Sequence, residues 1–235
     1  MHLSVRFPLA FAALAVLAVC GGPRAHAQAQ STASPTAGMG TYIAIDPLAG
    51  VTYDNRYDVY VGMAYDHMKA GPNLLQGANL GGLDISGSYW LTKRWGLEGS
   101  SRNYVGTSGA APNPYSINGP FVAQYMFVAG PEWLGPHNKH GDLMAHAMFG
   151  GTYGDFEHDL RGTPPSAVGF YNNQIAPAAI IGGHIDLNRS ARWVFRITPD
   201  AVITRYSINY GSKMTQTDVN FAISVGVEYK FKKKR

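Results

Sequence analysis

Residues 218–231 read DVNFAISVGVEYKF, an alternation of apolar with polar or small residues that runs unbroken to its last position. Phe221, Ile223, Val225, Val227, Tyr229 and Phe231 fall on one parity, and Asn220, Ala222, Ser224, Gly226, Glu228 and Lys230 on the other. Successive side chains of a strand point to opposite faces, so the segment carries one apolar and one polar face. A helix, with its period of 3.6, would scatter both sets around its axis. Tyr229 and Phe231 close the apolar face with rings. That arrangement suits a strand crossing lipid, with aromatic residues at the membrane–water boundary.

Only 14% of the 235 residues are charged, a low share for a water-facing surface, while Gly (28) and Tyr (14) are plentiful. No internal run reaches the roughly 18 apolar residues of a membrane helix. Low charge without such a helix fits a barrel, whose spanning strands each look only half hydrophobic. A soluble β-sandwich or lipocalin-like barrel shares the same alternation and stays open as an alternative. The basic excess is local: the formal charge of +4 falls to +2 without Arg6 and Arg24, and turns negative once Lys232, Lys233, Lys234 and Arg235 are set aside. The body offers no basic face, so nucleic-acid binding is not expected.

Residues 1–27 read as a secretory signal: Arg6 at the start, an apolar stretch from Phe7 to Val19, and Ala25-His26-Ala27 as a small-x-small cleavage site. The sole cysteine, Cys20, stands in a weaker lipoprotein-like box; cleavage at Ala27 leaves a mature chain without cysteine. Residues 28–53 read as a flexible linker and lead-in, with 42–53 either an ordered approach or part of the wall. Residues 232–235 form a basic tail.

Eight strands are expected within 54–231: 57–68, 83–91, 95–104, 121–129, 143–153, 178–187, 193–206 and 218–231. Turns at Thr92-Lys93-Arg94, residues 136–141 and Asn188-Arg189-Ser190 are short. The other connections, between strands one and two, three and four, five and six, and seven and eight, are longer and rich in Gly, Pro, Asn and Ser. Short turns alternating with long loops are the layout of outer-membrane barrels, with both termini on the periplasmic side. Pro199 lies inside strand seven, where its missing N–H predicts a bulge. Trp95, Trp193, Tyr229 and Phe231 sit beside the short turns and are expected to form one aromatic girdle.

The run Ser224, Gly226, Tyr229, Phe231 resembles the C-terminal assembly signal of bacterial outer-membrane β-barrels, although four basic residues follow it here. With Tyr53-Asp54-Asn55-Arg56-Tyr57, Gly81-Gly82, Tyr89-Trp90-Leu91-Thr92-Lys93 and Trp95-Gly96, the chain resembles small OmpA-type or opacity-protein-like barrels of the acidobacterial kind. The resemblance covers about Asp54 to Phe231. It implies an all-β, eight-stranded antiparallel up-and-down transmembrane barrel in the outer membrane, and a structural or surface-interaction role through its outer loops. It also implies contact with outer-membrane lipid and lipopolysaccharide, recognition by the barrel-assembly machinery through Gly226, Tyr229 and Phe231, and a monomer without cofactor.

Parity places Asp66, Asp84, Glu98, Arg102, His146, His184, Asp186, Arg196, Asp200 and Glu228 inside. Eight strands leave a lumen that side chains fill, so these charges must pair. One reading is a plug of salt bridges. The sharper one is a narrow porin-like conduit in which Arg102 or Arg196 exchanges partners among Glu98, Asp200 and Glu228. Catalysis is not expected, because no motif sets a nucleophile beside His184 and Asp186 or beside His158. His137 and His140 alone make a weak metal pair, and Asp155-Phe156-Glu157-His158-Asp159 reads as a solvated loop before it reads as a cation site. Gly81-Gly82 and Gly150-Gly151 open no helix and are not phosphate loops.

Overall fold

A computed structural model of the chain describes residues 46–72, 74, 76–110 and 112–231. The expected signal, most of the linker and the basic tail lie outside the described residues. Eight strands form a closed antiparallel barrel: β1 (Tyr57–Met68), β2 (Ala78–Trp90), β3 (Trp95–Ser108), β4 (Phe121–His137), β5 (Gly141–Asp155), β6 (Gln174–Asn188), β7 (Trp193–Asn209) and β8 (Lys213–Phe231). Each pairs with the next, and β8 closes on β1 from Tyr57↔Phe231 to His67↔Phe221. Closure leaves no unpaired sheet edge. No described helix is long and apolar enough to cross a membrane; the one helix among the described residues, α1 (Pro165–Val168), is a single turn.

Burial alternates residue by residue, and its sense is inverted relative to a water-soluble fold. In β1 the odd positions Tyr57, Val59, Val61 and Met63 are exposed, whereas Asp58, Tyr60, Gly62, Ala64 and Asp66 are buried. In β8, Val219, Phe221 and Val227 are exposed, and Asp218, Asn220, Ser224 and Glu228 are buried. A soluble carrier barrel would need the opposite orientation, with these apolar side chains turned into a central cavity.

The three short turns share one local chemistry. Thr92 Oγ1 accepts from the backbone N–H of Arg94 (3.2 Å) and Trp95 (2.9 Å), and Ser190 Oγ accepts from Arg192 (3.3 Å) and Trp193 (3.1 Å). Asn138 Oδ1 does the same for His140 (2.7 Å) and Gly141 (3.3 Å). A short polar side chain that replaces backbone acceptors is what fixes such tight reversals. Two of the turns deliver a tryptophan to the outer face at the start of the next strand. Trp95 stands across from Trp133, Trp193 across from Tyr229, and Tyr57 across from Tyr89 and Phe231. The rings of Trp193 and Tyr229, and of Tyr229 and Phe231, are each 4.9 Å apart. The expected girdle is therefore present at the short-turn end, enlarged by Tyr57, Tyr89 and Trp133.

Residues 46–53 form an ordered lead-in at that end. The Tyr53 hydroxyl donates to the Asn138 carbonyl (2.8 Å) and accepts from Asn188 Nδ2 (2.8 Å), and its ring lies tilted against that of His137 at 4.5 Å. Burial raises the Tyr53 phenol above its ordinary range, and the charge of Asp142 adds to this.

Three local expectations are corrected. Strand β4 continues to His137, well past residue 129, so the turn is only Asn138–His140. The connection after β7 is the tight reversal Tyr210-Gly211-Ser212, not a long loop, because β7 and β8 pair up to Asn209↔Lys213. Pro199 makes no bulge. Its register with β8 is continuous (Pro199↔Ile223), and with β6 the same register resumes on both sides of a short gap. The register shift falls instead between Leu134 and His137, where Gly135 and Pro136 interrupt the β4–β5 ladder.

Candidate functional site in the barrel lumen

At the long-loop end the lumen is closed by apolar packing. Met68, Leu80, Tyr104, Ile117, Phe156, Leu160, Val168, Phe170, Tyr171 and Tyr206 form one buried cluster. Much of it comes from the connection between β5 and β6. Phe156 meets Tyr171 and Tyr206 edge-on at 5.8 and 5.0 Å. The Tyr171 hydroxyl donates to Asp218 Oδ2 (2.6 Å), and burial, reinforced by that bond, raises its phenol above the ordinary range.

Below this cap the lumen is filled by ionisable side chains. Among the described residues, Asp58, Asp66, Asp84, Glu98, Glu132, Asp142, Asp186, Asp200, Asp218 and Glu228 are buried carboxylates, against the buried cations Arg102, Arg196 and Lys230. The acids thus outnumber the permanent cations about threefold. Buried charge at this density persists only where partners compensate it.

Two arginine centres organise the pairing. Arg196, fully buried, donates from Nε to Asp186 Oδ1 (2.7 Å) and from Nη2 to Asp186 Oδ2 and Glu228 Oε1 (2.8 Å each). Its guanidinium lies 5.7 Å from the centre of the Tyr60 ring. Lys230 extends the cluster to Asp142 (3.3 Å) and caps the Tyr53 ring at 5.0 Å. Arg102 pairs with Asp200 at 2.6 Å and with Asp84 at 3.4 Å. The Asp84 carboxylate also accepts from Ser100 (2.8 Å) and Ser224 (3.0 Å), and Ser224 in turn accepts from the Tyr60 hydroxyl (3.0 Å). Tyr60 therefore joins the two centres.

Room for this joint comes from two glycines at the barrel seam. Gly62 and Gly226 stand opposite each other in the β1–β8 ladder, and Gly226 also faces Arg196 across β7–β8. A side chain at Gly62 would run into the Tyr60 ring, and one at Gly226 into the β1 backbone at Val61 and Gly62.

Of the five residues expected to form a lumen network, Arg102–Asp200 and Arg196–Glu228 come together as ion pairs. Glu98 meets neither arginine within ion-pair distance. Its Oε2 lies 2.8 Å from His146 Nδ1 and 3.2 Å from His184 Nε2. His146 Nε2 is 2.8 Å from Asp200 Oδ1, and His184 Nδ1 is 2.9 Å from Thr198 Oγ1. Tyr60, Glu132, Asp142 and Lys230 belong to the lumen as well, beyond the set expected from the sequence. Lys230 and Tyr60 were legible from strand parity; Glu132 and Asp142 lie beyond the expected strand limits. Of the expected assembly signal, Gly226 lines the lumen seam, while Tyr229 and Phe231 join the outer girdle.

No family model and no curated protein matches the chain. Among solved structures, the outer membrane protein OprG of Pseudomonas aeruginosa aligns over 79% of this chain and 99% of its own, with a TM-score of 0.51 and 13% sequence identity. Neisserial surface protein A aligns over 74% of this chain and 97% of its own, with a TM-score of 0.43 and 16% identity. Ail, the attachment invasion locus protein of Yersinia pestis, covers the same shares at a TM-score of 0.42 and 16% identity. With its inverted burial and a match spanning nearly the whole of OprG, the chain has the fold of the small eight-stranded outer-membrane barrels.

Proposed function

We propose that the protein spans a bacterial outer membrane as a plugged barrel, without a transport path, and acts through the surface at its long-loop end. The observation that carries this reading is the inverted burial: large apolar side chains circle the outside, while carboxylates and guanidinium groups fill the middle. In hydrocarbon all backbone N–H and C=O groups must be paired internally, which the closed β1–β8 ladder achieves. Strands of 12 to 19 residues exceed the roughly 9–11 needed to cross the hydrocarbon core, so several project beyond it. The short turns and the girdle then mark the periplasmic side, and lipopolysaccharide surrounds the long-loop end. Tyr229 and Phe231, outward on the closing strand, supply the apolar edge by which assembly machinery would grip β8. The structural role fits a lumen with an apolar cap above and buried ion pairs below, among them the bidentate Arg196–Asp186 pair.

The test combines fractionation with electrical recording. The protein is expected in the outer-membrane fraction, with a gel mobility that changes on heating, and purified barrels are expected to leave planar bilayers silent. Recovery in the soluble fraction would overturn the membrane assignment. Steady conductance abolished by Arg196→Ala would overturn the plug and favour the gated conduit.

A further inference from the structure

The strongest unexplained chemistry in the lumen is the meeting of Glu98, His146 and His184. Three strands, β3, β5 and β6, bring Glu98 Oε2, His146 Nδ1 and His184 Nε2 into a triangle with edges of 2.8, 3.2 and 3.1 Å. All three residues are buried. Tetrahedral zinc with ligand distances of about 2.0–2.1 Å sets its donor atoms roughly 3.3 Å apart, so the edges of this triangle need to open by about 0.1 to 0.5 Å. Without an ion, Glu98 Oε2 can accept from either ring nitrogen, and the 3.1 Å contact of the two rings is a competing partner. A cation at the centre of the triangle would take one lone pair from each of the three.

Two independent features point the same way. Each histidine has its remote nitrogen engaged by an oxygen: His146 Nε2 by Asp200, and His184 Nδ1 by Thr198. An ionised Asp200 can only accept from His146 Nε2–H, which turns the lone pair of Nδ1 inward as in carboxylate–histidine–zinc arrangements, while the Thr198 hydroxyl holds the His184 ring in place. Next, Glu132 stands directly across the β4–β5 ladder from His146. It is completely buried with Ser88 beside it, yet neither of its carboxylate oxygens makes a hydrogen bond of normal geometry. A divalent ion held by Glu98 and His146 would balance the charge of Glu98 and place a cation on the strand next to the orphaned Glu132 carboxyl.

We propose that Glu98, His146 and His184 form a three-ligand site for a borderline divalent cation of the zinc class, its fourth position taken by water, with Asp200 and Thr198 positioning the two imidazoles. Two imidazoles and one carboxylate favour zinc, cobalt or nickel over magnesium or calcium, which prefer all-oxygen shells. The site ties β3 to β5 and β6 across the lumen. It does not depend on the surface role proposed above, since it needs only the closed barrel.

The experiment uses the full-length protein in detergent, stripped with EDTA, with Co2+ or Zn2+ supplied either during refolding or to the folded barrel. About one ion per chain is expected to bind, with visible tetrahedral Co2+ bands that Zn2+ displaces. The temperature at which the heat-modifiable band converts is expected to rise with the ion. His184→Phe is expected to remove the bands, and Thr198→Val to weaken binding about tenfold. The double variant His137→Asn/His140→Asn, at the exposed turn, is expected to bind like the wild type. Absence of stoichiometric binding to the wild type would overturn the site and leave His146 as a hydrogen-bonded link between Glu98 and Asp200. Binding lost in the turn variant but kept in His184→Phe would overturn it too. If His184→Phe does not fold, the wild-type spectrum and Thr198→Val decide.

Discussion

At the scale of single residues, Arg196 carries the greatest local consequence. It lies in the lumen with no exposure and pairs with two carboxylates that are themselves buried. Arg196→Met would leave Asp186 and Glu228 with only the more distant Lys230, at 3.9 and 3.7 Å. Breaking a buried pair by deleting one partner costs about 3–5 kcal/mol, and replacing all members by apolar groups is often near neutral. Equilibrium urea unfolding in micelles is therefore expected to show a loss of about 3–5 kcal/mol for Arg196→Met. The triple variant Arg196→Met/Asp186→Leu/Glu228→Leu is expected to regain most of it. An equal loss in the triple variant would mean that packing, and not charge pairing, sets the stability of this layer.

At the scale of elements, the strand alternation made most of the barrel legible. Parity alone put Glu98, Arg102, Arg196, Asp200 and Glu228 inside, and all five are buried. Parity does not say which of them meet, because contacts across a lumen depend on the stagger of strands that are far apart in sequence. Hence the swing of Glu98 to His146 and His184 was not foreseeable. Glu132 escaped notice for a local reason. Gly130 and Pro131 look like a strand end, and they do drop out of the β4–β5 pairing, but β4 keeps its partner on the β3 side and runs on. Pro199 misled in the opposite direction, since its missing donor produces a gap in one ladder and no change of register. Depth along β1 gives a prediction at the same scale. Val61→Arg, near the middle of the strand, is expected to cost about 2–4 kcal/mol in bilayer unfolding measurements, whereas Tyr57→Arg at the girdle is expected to cost about 0–1 kcal/mol. Equal costs would contradict the placement of the girdle at the boundary.

At the scale of the molecule, one inversion underlies everything else: apolar side chains outside, charge within, an apolar cap at one end and capped tight turns at the other. The charges need the wall to exclude water, and the wall needs the charges to fill it. The most direct measurement places single cysteines at Val61, Phe127 and Ile181 on the outer face, and at Ser224 on the lumen face, in a chain whose only native cysteine, Cys20, lies in the expected signal. Each is labelled with a small fluorophore, and quenching by lipids carrying a spin label midway along the acyl chain is recorded. Strong quenching at Val61, Phe127 and Ile181 with little at Ser224 is the predicted result. Labels on the outer face that ignore the lipid and respond to an aqueous quencher would contradict it.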